Sequence, residues 1–124
     1  MKVRIRGDSI RLRLKRGEVD RLVSGNAIVE KTHFPGATLT SCLKVSQDND
    51  FAAKFDHGIL EVRAPESAIV QWASTDEVSL YADQVLEEAG SLALLIEKDF
   101  SCLEPGLHRN CDDDVDTFPH PSAR

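Results

Sequence analysis

Residues 2–14 read KVRIRGDSIRLRL, and this stretch decides the fold because apolar and basic residues alternate on both sides of a turn. A period of two places the apolar residues on one face of each strand and the basic residues on the other. Gly7-Asp8-Ser9 supplies the turn residues between the two strands. The stretch therefore predicts a half-buried β-hairpin with a basic outer face.

The residues that follow predict a helix and a second hairpin. Apolar side chains recur at helical spacing within residues 15–24, and Gly25-Asn26 provides a C-terminal stop. Residues 27–34 and 38–45 are β-rich runs joined by the turn pair Pro35-Gly36. The first half of the chain therefore predicts a strand-strand-helix-strand-strand (ββαββ) unit.

The same order of elements recurs in the second half. Residues 51–55 and 59–63 predict a hairpin, Pro65 predicts the first turn of a helix, and residues 78–82 and 92–97 predict two more strands. Residues 83–90 are compatible with either strand or an added helical turn. A shift of 50 residues superimposes the landmarks of the two halves: Ile5 on Phe55, Ile10 on Leu60, Leu12 on Val62, Leu14 on Ala64, Val19 on Ile69, Leu22 on Trp72, Ser24 on Ser74 and Ile28 on Val78.

These patterns predict an α+β fold made of two internally duplicated ββαββ units. One unit alone would leave an apolar sheet face exposed, whereas two units can bury their faces together. The expected result is eight mainly antiparallel strands with two short helices, arranged as a barrel or as two packed sheets. We expect one domain over residues 1–103, with halves of about 1–50 and 51–103, followed by an acidic, proline-containing tail at 104–124.

Composition narrows the class of protein. The chain has 124 residues, 41% hydrophobic and 29% charged, which is typical of a single globular domain. Residues 1–35 carry nine basic and four acidic side chains, whereas residues 66–124 carry three basic and thirteen acidic ones. A net charge of −6 argues against nucleic-acid binding, and no apolar run predicts a membrane span or signal peptide. Three cysteines, an odd number, predict reduced thiols and a cytoplasmic protein.

The basic hairpin face is the first candidate binding site. Its guanidinium groups suit a carboxylate or phosphate ligand, because each presents a planar fork of donors. Two carboxylates at the end of the last predicted strand would border this face. The candidate ligand-binding residues are Arg4, Arg6, Arg11, Arg13, Glu97 and Asp99. The alternative is a solvated strand surface whose charge is neutralised by Glu61, by Glu97 or by the acidic tail.

A metal site is the second candidate. Cys102, His108, Cys111 and His120 place four nitrogen or sulfur ligands within 19 residues, and His33 could add one from elsewhere. Zinc or another transition metal accepts such ligands. The compact Cys-x2–4-Cys and His-x3–5-His pairs of common zinc sites are absent, so a free, partly buried Cys102 is the alternative.

Three functional classes remain open from these residues. The first is a small binding or accessory domain for an anionic small molecule. The second is a small metal-dependent hydrolase that uses the same region. The third is a protein-interaction subunit that forms a homodimer through the apolar side of the second helix, around Ile69 and Trp72.

Three segments carry a resemblance to a family of short bacterial proteins of unknown function. They are KTHF at residues 31–34, EKDFSCL at 97–103 and DTFPHP at 116–121. The resemblance implies no activity, but it implies that Phe118-Pro119 docks back onto the domain. The alternating arginine strands and Glu61-Val62-Arg63 are also similar to triphosphate-tunnel enzymes, which are eight-stranded barrels, although the Glu-x-Glu-x-Lys signature of those enzymes is absent.

Overall fold

The computed structural model describes residues 1–88, 90–100 and 116–119. Over these residues the chain forms eight strands and two helices in the order ββαββ–ββαββ. The elements are β1 (Lys2–Ile5), β2 (Ser9–Leu14), α1 (Arg16–Val23), β3 (Ile28–Phe34), β4 (Ala37–Ser46), β5 (Ala52–Asp56), β6 (Ile59–Pro65), α2 (Glu66–Ser74), β7 (Ser79–Leu86) and β8 (Gly90–Lys98). Among the described residues, neither helix has the length and apolar character needed to cross a membrane.

The strands form two four-stranded sheets, each of which combines strands from both halves of the chain. Sheet A has the order β1-β2-β8-β7, and sheet B has the order β3-β4-β6-β5. The central pairs, β2 with β8 and β4 with β6, are parallel, and the other four pairings are antiparallel. The predicted two-sheet arrangement is confirmed, but the sheets are mixed, which the expectation of mainly antiparallel strands did not capture.

The barrel alternative is wrong for the described residues, because no backbone ladder joins one sheet to the other. Side chains bridge the two seams instead. At the first seam, the Met1 ammonium group contacts Oε1 of Glu30 at 2.7 Å. At the second, the backbone N–H of Ala53 donates to Oε1 of Gln84 at 2.7 Å. Adjacent edge strands therefore meet through single polar contacts and not through continuous pairing.

The hairpin pattern of the sequence is confirmed in the strands. Residues in β2 alternate between buried apolar and half-buried polar positions, so that its arginines lie on the outer face of sheet A. The open question over residues 83–90 is settled in favour of a strand at residues 83–86, which a turn at residues 87–88 follows. Leu86 pairs with Gly90, whose φ of 83° permits the tight reversal that joins β7 to β8.

One hydrophobic core joins both sheets and both helices. Leu22 of α1 and Trp72 of α2 are each 0% exposed, and both belong to the same cluster as the inner faces of β2, β4, β6 and β8. The indole N–H of Trp72 donates to the carbonyl of Val78 at 3.1 Å, so its polar atom is also satisfied. Ile69 is 0% exposed as well. Ile69 and Trp72 therefore cannot form the predicted dimer surface, because the monomer already buries both side chains, and formation of a homodimer stays a prediction.

Exchanging the two halves reproduces the strand order of each sheet. The hairpin β1–β2 corresponds to β5–β6, and the hairpin β3–β4 corresponds to β7–β8. Ile5 and Phe55, which the shift of 50 residues superimposes, pair with Ile10 and Leu60 and are both exposed.

The landmark pair Ile28 and Val78 is wrong. Ile28 pairs with Leu43 of β4. The residue of β8 that corresponds to Leu43 is Ile96, and it pairs with Leu80 and not with Val78. The match is displaced because the offset between the halves grows from 50 residues at Leu22 and Trp72 to 52 residues at Ile28 and Leu80. Common ancestry of the halves stays a prediction.

The segment Asp116–Pro119 lies against the domain, as the resemblance implied for Phe118. The N–H of Phe118 donates to the carbonyl of Asp99 at 2.9 Å, and the rings of Phe118 and Phe100 meet edge to face. Arg16 and Lys98 each place a cationic group 5.4 Å from the centre of the Phe118 ring. The segment thereby joins the end of β8 to the start of α1.

Candidate ligand-binding site

The outer face of sheet A assembles most of the predicted anion-binding residues. Arg4 of β1 and Arg11 of β2 are directly opposite each other in the ladder, and Arg13 lies on the same face. The Nε atom of Arg13 donates to Oε1 of Glu97 at 2.6 Å, and Nε of Arg11 is 3.6 Å from the same oxygen. Arg4 is exposed, and none of the described carboxylates lies within ion-pairing distance of it. We call Arg4, Arg11 and Arg13 the arginine face.

Three residues that the sequence singled out do not belong to this face. His33 is an exposed residue of β3, in sheet B. Glu61, expected as a neutralising partner, is in β6 of sheet B and forms its ion pairs there. Arg6 lies in the turn after β1, where its backbone exchanges two hydrogen bonds with Ser9. The arginine face is therefore neutralised in part by Glu97, and not by Glu61.

Asp99 lies just beyond β8 and borders a charged cavity. Its backbone N–H donates to the carbonyl of Leu14 at 2.8 Å, and its carbonyl accepts from Phe118, so the residue is fixed on both sides. Asp99 is only 6% exposed, and its buried Oδ2 atom accepts no hydrogen bond. The Nζ atom of Lys2 is 3.3 Å from Oδ2, an ionic contact without hydrogen-bond geometry. A buried carboxylate oxygen without a donor is costly for the fold.

The cavity measures about 440 Å³ and lies between the first turn of α1, the start of β1 and the end of β8. Its lining combines basic and acidic groups in nearly equal number: Met1, Lys2, Arg13, Lys15 and Arg21, with Glu18, Glu30, Asp99 and Asp116. Sequence reasoning missed Glu18 and Arg21, because helix α1 was interpreted only for its apolar side, and it also missed Glu30 of β3. The pattern Lys15-x-x-Glu18-x-x-Arg21 is a local signal that places three charged groups along one side of the helix.

Most of these charges have a structural partner. Glu18 accepts from the backbone N–H of Lys15 at 3.0 Å and contacts the Met1 ammonium group. Asp116 accepts from the N–H of Gly17 at 3.0 Å and so caps the first turn of α1. Arg21, in contrast, forms no ion pair with any described residue.

The outer face of sheet B carries a different charged cluster. Glu61 is central, with Nζ of Lys44 at 2.7 Å, Nε of Arg63 at 3.2 Å and Nζ of Lys54 at 3.7 Å from its carboxylate oxygens. The hydrogen bond from Lys44, together with the charge of Arg63, lowers the pKa of Glu61. Cys42 is a free, half-buried thiol whose pKa is raised, first by burial and second by Glu61. Each of the three cations in this cluster thus contacts the carboxylate of Glu61.

Most of the predicted metal ligands lie outside the described residues. Cys102, His108, Cys111 and His120 all lie there, and only His33 can be located. Within the described residues, no group of three or more acidic, histidine or cysteine side chains is arranged to hold a metal ion. Zinc binding by the C-terminal ligands stays a prediction.

The fold and these sites define a small α+β domain with two charged outer faces. On sheet B each cation of the cluster contacts Glu61, whereas on sheet A Arg4 contacts none of the described carboxylates. The profile of a family of unknown function (DUF7009) matches residues 1–122, and the chain belongs to this family. A search of curated proteins found no match. A search of solved structures found no match either.

Proposed function

We propose that this protein is a small binding or accessory domain that takes an anionic small molecule on its arginine face. The observation that supports the proposal is the direct opposition of Arg4 and Arg11. Like charges at opposite positions of an antiparallel pair destabilise a sheet. An anion between the two guanidinium groups would remove that repulsion and would accept several of their forked donors.

The neighbouring groups favour a ligand with more than one anionic oxygen. Arg13 already donates to Glu97, so its charge is partly used within the fold. Arg4 and Arg11 are half-exposed or exposed, and Arg11 is only loosely paired with Glu97 at 3.6 Å. A polyphosphate or dicarboxylate could contact both guanidinium groups at once, whereas a monovalent anion would satisfy one.

Pyrophosphate is a suitable probe, and amide chemical-shift titration locates its binding. We expect saturable shifts on β1 and β2, and a loss of affinity of about tenfold in Arg4→Gln, equivalent to one charge-assisted hydrogen bond. Lys54→Gln is the matched control, because Lys54 holds the corresponding position in sheet B and also loses one positive charge. Equal weakening in both variants, or shifts spread over both sheets, would reject a specific arginine face.

We also propose that the two halves are duplicated units that depend on each other for folding. The shared core and the exchange-related sheet orders support this idea. Fragments 1–49 and 50–124 are expected to be unfolded when made separately and to form one folded complex when co-expressed. A fragment that shows native chemical-shift dispersion alone would contradict the proposal.

A cytoplasmic location is part of the same proposal. It is supported by the odd number of cysteines and by the free thiol of Cys42. Alkylation of the protein under denaturing conditions directly after cell lysis should label three thiols per chain. Labelling of fewer thiols without a reductant would indicate an oxidising compartment.

A further inference from the structure

We propose that the cavity bordered by Asp99 and Arg21 is a second binding site, for a small zwitterion that carries an ammonium group and a phosphate or carboxylate group. The ammonium group would bind Asp99, and the anionic group would bind Arg21. This site borders the arginine face, since Arg13 also lines the cavity, but the two residues that would bind the ligand, Asp99 and Arg21, do not belong to that face.

The need for a donor at Asp99 is the first argument. Its side chain is more than nine-tenths buried, yet Oδ2 accepts no hydrogen bond. A primary ammonium group offers three donors and a compensating charge. The ionic contact with Lys2 at 3.3 Å supplies charge without a hydrogen bond, so a donor from a ligand would complete the site.

The fixed position of Asp99 is the second argument. Hydrogen bonds to Leu14 and from Phe118 hold its backbone on both sides. The residue is therefore held in place before any ligand arrives, which lowers the entropic cost of binding. A carboxylate that served only as a surface charge would not need to be buried and held in this way.

The distribution of charge in the cavity is the third argument. Glu18, Glu30 and Asp116 have partners within the protein, and Arg13 donates to Glu97. Arg21 is the guanidinium group of the lining that has no ion pair with a described residue. The cavity thus holds one carboxylate oxygen without a hydrogen bond, on Asp99, and one guanidinium group without an ion pair to a described residue, on Arg21. A ligand of opposite charge at its two ends matches both.

A corresponding cavity in the other half of the fold lacks this pair of charges. It measures about 550 Å³ and is lined by Ser46 and by the first turns of α2. Ser46 corresponds to Asp99 in the other half. The residue before Ser46 pairs with Ala64, the residue before Asp99 pairs with Leu14, and Ala64 and Leu14 are matched by the shift of 50 residues. The Oγ atom of Ser46 is buried and also lacks a hydrogen bond, but it is uncharged, and Gln71 lies near it in the lining. Ser46→Ala is therefore a matched control.

The test compares three probes on the full-length protein: phosphoethanolamine, ethyl phosphate, which lacks the ammonium group, and ethanolamine, which lacks the phosphate. We expect phosphoethanolamine to bind at least about tenfold more tightly than either of the others, as one charge-assisted hydrogen bond implies. Titration calorimetry measures the affinities, and amide shifts at residues 15–21 and 99 locate the site. Equal affinity for phosphoethanolamine and ethyl phosphate in the wild-type protein would overturn the proposal without any variant.

Two substitutions then assign the roles. Asp99→Asn should lower the affinity for phosphoethanolamine to that for ethyl phosphate, and should leave ethyl phosphate binding unchanged or stronger. Arg21→Gln should weaken both phosphate-containing probes, and Ser46→Ala should change neither. Wild-type affinity for phosphoethanolamine in a folded Asp99→Asn variant would reject the proposal. Pyrophosphate binding that depends on Arg4 is measured separately, so either binding site can fail while the other stands.

Discussion

The hairpins β1–β2 and β5–β6 hold corresponding places in sheets A and B, but their outer faces carry different charges, chiefly where Arg11 corresponds to Glu61. In sheet A, Arg4 faces Arg11, which repeats the positive charge. In sheet B, Lys54 faces Glu61, which also binds Lys44 and Arg63. The same backbone arrangement therefore places a carboxylate among three cations in sheet B and two guanidinium groups opposite each other in sheet A.

The difference suggests separate roles for the two faces, with stabilising ion pairs on sheet B and the proposed ligand binding on sheet A. A central carboxylate among cations stabilises a sheet modestly, whereas opposed guanidinium groups destabilise it. The two cavities repeat the contrast, since charged Asp99 borders one and neutral Ser46 borders the other. The opposed arginines and the charged Asp99 both lie on the side of sheet A, where we place the binding sites.

The largest expected effect tests whether the two faces share one folding unit. Trp72→Ala should lower the free energy of unfolding by about 3–5 kcal/mol, and Leu22→Ala by about 2–5 kcal/mol, because both remove fully buried side chains. Urea unfolding measures the loss. Hydrogen exchange should accelerate in sheets A and B together, and acceleration confined to one sheet would show that the faces belong to independent units.

The next largest effect concerns the ion pairs of Glu61 on the outer face of sheet B. Glu61→Gln should cost about 1 kcal/mol at neutral pH, since three exposed or half-exposed cations lose their shared carboxylate. The lowered pKa of Glu61 means that its contribution is present above the ordinary carboxyl pKa and is lost as pH falls through the folded value. Urea unfolding of both proteins between pH 7 and pH 2 should therefore converge in acid. A difference that persists at the lowest pH would show that packing, and not charge, is responsible.

Two matched charge reversals, one in each hairpin, test whether the outer faces of sheets A and B differ electrostatically. Arg4→Glu should raise the free energy of unfolding by a few tenths of a kcal/mol, because it creates an opposite-charge pair with Arg11. Lys54→Glu should lower it by a similar amount, because it places a second carboxylate opposite Glu61. Each variant changes the net charge equally, so long-range effects cancel in the comparison.

Salt provides the control for these reversals. Both effects should shrink in about 1 M NaCl, where the screening length falls to about 3 Å. Shifts of the same sign in the two variants would show that the faces do not differ electrostatically in the way described.

The smallest expected effect is a change in the alkylation rate of Cys42. Glu61→Gln removes the second cause of the raised thiol pKa and should increase the rate slightly, whereas Lys44→Gln removes a lowering charge and should decrease it. Burial remains the main cause in both variants. Peptide-resolved mass spectrometry measures the rate at fixed pH, and changes in the same direction would contradict the electrostatic explanation.

The sequence predicted the arginine face more completely than it predicted the cavity. Arg11 and Arg13 alternate with buried leucines in one short window, so their shared face follows from local periodicity. Glu97 was correctly grouped with them, although β2 and β8 lie far apart in the chain. Arg21, in contrast, was missed because its position at the cavity depends on the distant residues Asp99 and Asp116, which line the same space.

By itself, the sequence determined the order ββαββ–ββαββ, the apolar faces that form the core and the basic outer face of the first hairpin. These properties depend on residue spacing within single elements, which the backbone geometry of strands and helices dictates. Only the tertiary structure decided that β2 lies parallel to β8, that Glu61 and the arginines occupy different sheets, and that Asp99 borders a cavity without a donor. Such pairings depend on which distant surfaces can be buried together, and no local pattern carries that information.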